Sequence, residues 1–188
     1  MLYAISGSQG CGKTTTINAL SSFYNQITRK TSRSILADWG VSLSQVNNDR
    51  ELTIRFQDEI LRRKLHDEAI ALNTKDVYIT ERTYVDLFVY ALVAIGKDNE
   101  YSDWLNAYYH KCVDAQKTYD AVFYLTAGHF QPVDDGVRAV NVHYSKMVDM
   151  VMSHYMIQAT PHGKLVFIDT PDLTQRVDKI TSMIFYDF

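Results

Sequence analysis

The sequence is poor in cysteine, proline and glycine, with two, three and eight of these residues among 188. Cys11 and Cys112 are too few for a disulfide framework and form no C-x-x-C pair, which favours a reducing, cytoplasmic setting. No stretch approaches the roughly 20 apolar residues of a membrane span, and we expect no signal peptide. The net charge of -3 offers no basic excess for an extended nucleic acid. We therefore expect a cytoplasmic protein that acts on small molecules, without a membrane partner.

Short apolar runs alternate with amphipathic helical patterns along the whole chain. The runs predict strands at 2–6, 77–80, 121–125 and 165–168, with a short further strand at 27–28. The patterns between them predict helices at 13–25, 31–39, 49–73, 84–95, 101–118, 142–158 and 173–186. This alternation is typical of an α/β fold in three layers, a parallel sheet of about five strands flanked by helices. We predict one domain over 1–188, with its ligands beyond the carboxyl ends of the strands.

A glycine-rich motif follows the first predicted strand. Residues 7–14 read Gly-Ser-Gln-Gly-Cys-Gly-Lys-Thr and fit G-x-x-x-x-G-K-[ST] at each fixed position. In such a P-loop the backbone N–H groups form an anion nest, and the next helix adds the positive end of its dipole. The lysine reaches the β- and γ-phosphates, and the Thr hydroxyl binds Mg²⁺. The motif predicts ATP and Mg²⁺ as cofactors, held by Gly7, Ser8, Gly10, Cys11, Gly12, Lys13, Thr14 and Thr15.

The class of P-loop protein follows from what else the chain contains. A GTPase would show an N-K-x-D motif that reads guanine, and the sequence has none. A mechanical ATPase usually needs a longer chain than 188 residues. The size therefore favours a small-molecule kinase of the P-loop NTPase fold.

A second polar segment directly follows the predicted strand at 77–80. Glu81, at a strand end beside the P-loop, is expected to bind Mg²⁺ or to orient its water shell together with Thr14. Arg82 would face the transferring phosphoryl group, where a fixed positive charge stabilises the transition state. We therefore predict catalytic roles for Lys13, Glu81 and Arg82.

Two segments resemble the deoxynucleoside kinases. Glu81-Arg82-Thr83, followed by Tyr84 and Asp86, is similar to their E-R-S…Y-x-D segment. Phe56-Gln57, on the long helix upstream, resembles their F-Q pair, whose glutamine reads the base edge. The resemblance implies that Gln57 and Asp86 bind the base or the sugar of the acceptor.

A third segment resembles another group of P-loop kinases. The polar residues 126–141 contain the run Asp134-Asp135-Gly136-Val137-Arg138. This D-D-G-x-R run is similar to the ribosylnicotinamide-kinase (NadR-like) domain and its ATPase-like relatives, many of them found in bacteriophages. The resemblance implies a lid over about 126–141 in which Arg138 closes on the phosphates of ATP and acts in catalysis.

The acceptor prediction depends on a difference from the deoxynucleoside kinases. These enzymes carry a glutamate after the second strand, which helps to deprotonate the sugar hydroxyl. The matching residues 28–33 contain no acid, and instead hold Arg29, Lys30 and Arg33. Cations suit an acceptor that already carries a phosphate, which arginine can bind bidentately. The sequence therefore favours a (deoxy)nucleoside monophosphate bound by Arg29 and Arg33, although Asp38 could still serve as a base for a nucleoside.

Several alternatives stay open. The first is a nucleoside or ribosylnicotinamide kinase. The second is a kinase of a modified base within DNA, against which the acidic net charge counts. The third, from another class, is an ATP-dependent switch or assembly ATPase that responds to a protein partner. The oligomeric state is also open, with a homodimer among the alternatives.

Overall fold

The computed structural model describes residues 1–27, 31–130 and 141–186, and its centre is a five-stranded sheet. The strands are β1 (Leu2–Ser6), β2 (Asn25–Ile27), β3 (Tyr78–Glu81), β4 (Ala121–Leu125) and β5 (Leu165–Ile168). Their order is β2-β3-β1-β4-β5, and every neighbouring pair is parallel. Since β1 is central, the loop after Ser6 opens at the edge where β3 and β4 also end. The predicted α/β fold class is confirmed.

Eight α-helices cover the two faces of this sheet in the described part of the chain. They are α1 (Lys13–Leu20), α2 (Thr31–Trp39), α3 (Leu43–Asn48), α4 (Arg50–Leu72), α5 (Tyr84–Ile95), α6 (Ser102–Gln116), α7 (Val142–Ala159) and α8 (Leu173–Tyr186). A turn of 3₁₀-helix, Asn99–Tyr101, precedes α6. None of these helices is both long and apolar enough to cross a lipid bilayer.

The side chains of β1 alternate between two hydrophobic cores, as the period of a strand requires. Leu2 and Ala4 belong to the core that α4, α5, α6 and α7 cover, with Phe88 and Met152 among its members. Tyr3 and Ile5 belong to the opposite core, which α1 and α8 cover. The central strand is therefore buried on both faces, and the predicted three-layer arrangement is present.

Several predicted element boundaries differ from the structure; β3 spans Tyr78–Glu81 and not 77–80, and α6 spans Ser102–Gln116 and not 101–118. The first helix ends at Leu20, not at residue 25, because Asn25 pairs with Tyr78 and opens strand β2. The long helix predicted from residue 49 begins at Arg50, where Asp49 accepts a hydrogen bond from the Leu52 N–H. The short helix α3 precedes it and was not predicted.

Two predicted segments lie wholly or partly outside the described residues. Of the strand predicted at 27–28, only Ile27 is described, as the last residue of β2. Of the lid predicted over 126–141, residues 131–140 lie outside the described ranges. The lid therefore stays a prediction.

Candidate active site

The P-loop joins β1 to α1 through a backbone that only glycine accommodates well. Gly7, Gly10 and Gly12 have φ values of 138°, 80° and 91°. A Cβ atom on Gly7 would lie 2.5 Å from the carbonyl oxygen of Leu125, so the loop packs directly against β4. The glycines are therefore required by both conformation and space.

The Lys13 side chain is held inside the curve of the loop and is only 5% exposed. Its Nζ donates hydrogen bonds to the carbonyl oxygens of Gly7 and Ser8, at 2.8 and 2.7 Å. Cys11 Sγ lies 3.7 Å from the same ammonium. Among the described residues no carboxylate forms an ion pair with Lys13, so its charge is available to an anion such as a phosphate.

The two residues predicted to hold Mg²⁺ lie side by side. The Thr14 hydroxyl is 3.2 Å from both carboxylate oxygens of Glu81. Parallel pairing of β1 with β3 places Glu81 opposite Ile5, one residue before the strand leads into the loop. Hydroxyl and carboxylate oxygens are the ligands that Mg²⁺ prefers, and this ion usually keeps several waters and phosphate oxygens besides. Thr14 and Glu81 therefore fit the ion, which would neutralise phosphate charge here.

Glu81→Gln is expected to raise the Mg²⁺ concentration needed for half-maximal activity while changing ATP affinity much less. The amide keeps the size of the side chain but removes the charge that attracts the cation. The measurement is an Mg²⁺ titration of the rate at saturating ATP, with the exposed Glu100→Gln as the control. An unchanged Mg²⁺ titration and rate in Glu81→Gln would show that this carboxylate is not at the metal.

Arg82 occupies the strained position between β3 and α5. Its φ is 68°, in the left-handed region, and its N–H donates to the Ile5 carbonyl oxygen at 2.9 Å. The guanidinium carbon lies 4.9 Å from the ring centroid of Tyr90. Burial opposes the charged form, but Tyr90, Asp86 and Glu81 together hold the pKa of Arg82 above its ordinary value. The guanidinium is therefore a permanent cation beside the P-loop.

Asp86 has a structural role that the sequence reasoning missed. It is fully buried, and its Oδ2 accepts hydrogen bonds from the Ser6 hydroxyl and from the N–H and hydroxyl of Thr83, at 2.6 to 2.8 Å. Thr83 and Asp86 form a capping box at the start of α5, and the spacing T-x-x-D could have indicated it. Oδ1 is buried and accepts no hydrogen bond from the described residues, so it is the oxygen that could accept one from a bound substrate.

Gln57 lies on α4, which packs against α5, the helix that carries Asp86. The residue is 8% exposed, and its backbone carbonyl oxygen accepts a hydrogen bond from the Tyr108 hydroxyl at 3.1 Å. Beside it, Phe56 meets the edge of Trp39 at 6.2 Å between ring centroids. The role of Gln57 in binding a base stays a prediction.

The predicted acceptor cations are only partly described. Arg29 and the lid residue Arg138 lie outside the described residues, and Arg33 is exposed on α2. Asp38, on the same helix, forms an ion pair with Arg63 at 2.8 Å, and Arg63 also binds Glu59 at 2.7 Å. The ion pair engages Oδ2 of Asp38, whose side chain is otherwise exposed.

Two further contacts support the P-loop, and no local sequence pattern indicated either of them. Arg176, on α8, is 2% exposed and donates to the carbonyl oxygens of Cys11 and Thr170, at 2.7 and 2.6 Å. The Gln9 amide donates to the Ser145 hydroxyl at 3.0 Å, which ties the loop to the first turn of α7. The P-loop is therefore held by hydrogen bonds from α8 and to α7, which cover opposite faces of the sheet.

Comparison with known proteins places this fold. The model of the AAA_28 family, described as an AAA domain, matches residues 2–176. The structure of deoxyadenosine kinase from M. mycoides with bound dATP is similar over 98% of this chain and 99% of that one, at 16% identity and a TM-score of 0.70. The NadR protein in complex with NAD and AMP-PNP is similar over 98% of this chain and 49% of that one, at 13% identity and a TM-score of 0.70. No curated protein is significantly similar in sequence.

These similarities confirm the family resemblance that the motifs predicted. At identities of 13 to 16%, the likeness to solved structures shows the shared fold and no more. The family match covers all five strands of the sheet and the P-loop. The chain therefore belongs to the AAA_28 family of P-loop domains and shares the fold of deoxyadenosine kinase and NadR.

Proposed function

We propose that the protein transfers the γ-phosphoryl group of ATP, in the presence of Mg²⁺, to a (deoxy)nucleoside monophosphate. The observation that carries this proposal is the meeting of Thr14 and Glu81 at 3.2 Å beside the buried ammonium of Lys13. A hydroxyl, a carboxylate and a cation at the mouth of one anion nest are what ATP with Mg²⁺ requires.

The chain's own residues supply positioning and charge. Lys13 would bind the β- and γ-phosphates, in place of the loop carbonyls that it now contacts. Arg82 would face the transferring group, where charge develops on the equatorial oxygens. Arg138 would add a second cation when the lid closes, which also excludes water from the reaction.

The acceptor class is inferred from two side chains on the packed helices α4 and α5. The amide of Gln57 both donates and accepts hydrogen bonds, and Asp86 Oδ1 accepts them, so together they can read the edge of a base. The similar structures hold ligands of this kind, namely dATP or dCMP and dCDP in deoxyadenosine kinase, and NR in NadR. A nucleoside-type acceptor is therefore the class that these side chains and the ligands of the similar structures support.

The basic character of residues 29–33 favours a monophosphate over a nucleoside. Arg33, with Arg29 and Lys30 before it in the sequence, provides cations where nucleoside kinases carry a base. Asp38, the residue predicted as the base for a nucleoside acceptor, is engaged by Arg63. A nucleoside kinase is the second candidate, since Asp38 is 56% exposed and held by a surface ion pair, which is weak in water.

A coupled ADP-release assay over all nucleosides and nucleoside monophosphates tests the proposal. We expect rapid ADP release with one or a few monophosphates and slow release with the matching nucleosides. Faster turnover of nucleosides would replace the proposal with a nucleoside kinase. Slow ADP release that no acceptor accelerates, but that a protein partner does, would identify an ATP-dependent switch.

Arg33→Ala is expected to lower kcat/KM for the acceptor by roughly 10- to 150-fold, the worth of one charge-assisted hydrogen bond. The KM for ATP should change little, because Arg33 lies on α2 and not on the P-loop. The measurement is steady-state kinetics with each substrate varied in turn. Arg62→Ala, which removes an exposed arginine from α4, is the control. An Arg33→Ala protein with wild-type acceptor kinetics would rule out this phosphate contact.

A further inference from the structure

The backbone at Arg82 is held in a conformation that residues with a side chain rarely adopt. Its φ of 68° is the only positive value at a non-glycine residue in the described part of the chain. Two contacts impose it: the Arg82 N–H donates to Ile5 at 2.9 Å, and the capping box of α5 begins at Thr83. Such strain persists where the surroundings over-determine it, and it concentrates at functional sites. The direction in which Arg82 leaves the backbone is thus fixed by its neighbours.

The side chain of Arg82 packs against Tyr90, which lies about two turns further along the chain, on α5. The guanidinium carbon lies 4.9 Å from the centroid of the phenol ring, within the distance of a cation–π interaction. The Tyr90 hydroxyl is buried and makes no hydrogen bond of regular geometry within the described residues, but it lies near enough to the guanidinium to raise the pKa of Arg82. Tyr90 therefore offers the guanidinium both the face of its ring and a nearby hydroxyl oxygen.

The nature of this partner matters for a cation that acts on phosphate. A carboxylate would hold the guanidinium more tightly, but it would also neutralise the charge that the transferring phosphoryl group needs. Within the described residues Arg82 forms no ion pair with a carboxylate, although Glu81 is its neighbour in the chain. An aromatic ring orients the planar guanidinium and leaves its charge and its N–H donors available.

We propose that Tyr90 is a positioning residue, which holds Arg82 over its ring so that the guanidinium stays ordered and fully charged for phosphoryl transfer. This inference rests on the proposed function and adds to it a residue that neither the motifs nor the family match singles out. Tyr90 acts through Arg82, so its effect falls on the rate of transfer and not on the binding of ATP.

Tyr90→Leu and Tyr90→Phe test the inference. Tyr90→Leu removes the ring and is expected to lower kcat by roughly 2- to 30-fold, the range of a cation–π contact, with the KM for ATP unchanged. Tyr90→Phe keeps the ring and should recover most of kcat. Tyr78→Leu, which removes a tyrosine at the amino-terminal end of β3, is the control for loss of an aromatic side chain.

A double-mutant cycle separates positioning from a general structural effect. In an Arg82→Ala background, Tyr90→Leu should cause no further loss of kcat, because the ring no longer has a guanidinium to hold. Equal losses of kcat in both backgrounds would overturn the inference, and so would a wild-type kcat in Tyr90→Leu. The proposed function would still stand in either case, provided that the wild-type protein transfers the phosphoryl group. Absence of transfer from the wild-type protein to every acceptor tested would overturn both.

Discussion

Lys13→Ala is expected to reduce phosphoryl transfer by roughly 100-fold or more, as removal of comparable electrostatic groups does. The ammonium is 5% exposed, and the groups it contacts are two loop carbonyls and the Cys11 sulfur. Its charge is therefore poorly screened by water and would act strongly on the β- and γ-phosphates. The measurement is the rate of ADP release at saturating acceptor, with ATP binding followed separately by calorimetry.

Folding must be controlled in this variant, because the ammonium also satisfies the carbonyl oxygens of Gly7 and Ser8. Lys13→Met keeps the length of the side chain, and an unchanged thermal transition in either variant would show that the fold persists. Lys111→Ala, at an exposed site on α6, is the matched control for loss of a lysine. A folded Lys13→Ala protein that turns over ATP and acceptor at the wild-type rate would contradict the P-loop assignment.

Elements with strong local signals could be predicted from the sequence. The apolar runs give β1, β4 and β5 with the bounds that the structure has, and the helical patterns give α2, α5 and α8. The bounds of β2 were not predicted correctly, because this strand has only three residues and its pairing with β3 decides its conformation. Helix α3 did carry a signal, since Ser42 and Gln45 form a capping box, but no long apolar pattern follows it.

The candidate site divides in the same way. The P-loop was predictable because its specific residues are contiguous, and the position of Glu81 followed from the strand that precedes it. Arg176 and Tyr90 were not, because their roles depend on contacts with Cys11 and Arg82 that only the folded chain creates. Asp86 is a third case, because its two carboxylate oxygens differ. Oδ2 caps α5, whereas the predicted contact with the substrate is left to Oδ1.

Glu68→Gln is expected to destabilise the fold by about 3–5 kcal/mol, because it leaves the buried ammonium of Lys64 without its counterion. The two side chains are 1% and 9% exposed, and Lys64 Nζ lies 2.6 Å from Glu68 Oε1. The Tyr119 hydroxyl also donates to Glu68, at 3.1 Å. The measurement is the free energy of unfolding from urea denaturation, with Glu51→Gln, at an exposed site on the same helix, as the control.

The same ion pair is connected to the candidate active site through Thr80, the residue directly before Glu81. The Thr80 hydroxyl accepts a hydrogen bond from Lys64 at 3.0 Å. Replacing both members, in Lys64→Met with Glu68→Leu, removes the uncompensated charge and should recover much of the stability lost in Glu68→Gln. If the pair also fixes the end of β3, the double variant should be stable and yet need more Mg²⁺ for half-maximal activity. Wild-type stability in Glu68→Gln would show that the ammonium is not held in the core by this carboxylate. Recovery of stability together with a wild-type Mg²⁺ titration would assign the pair to folding alone.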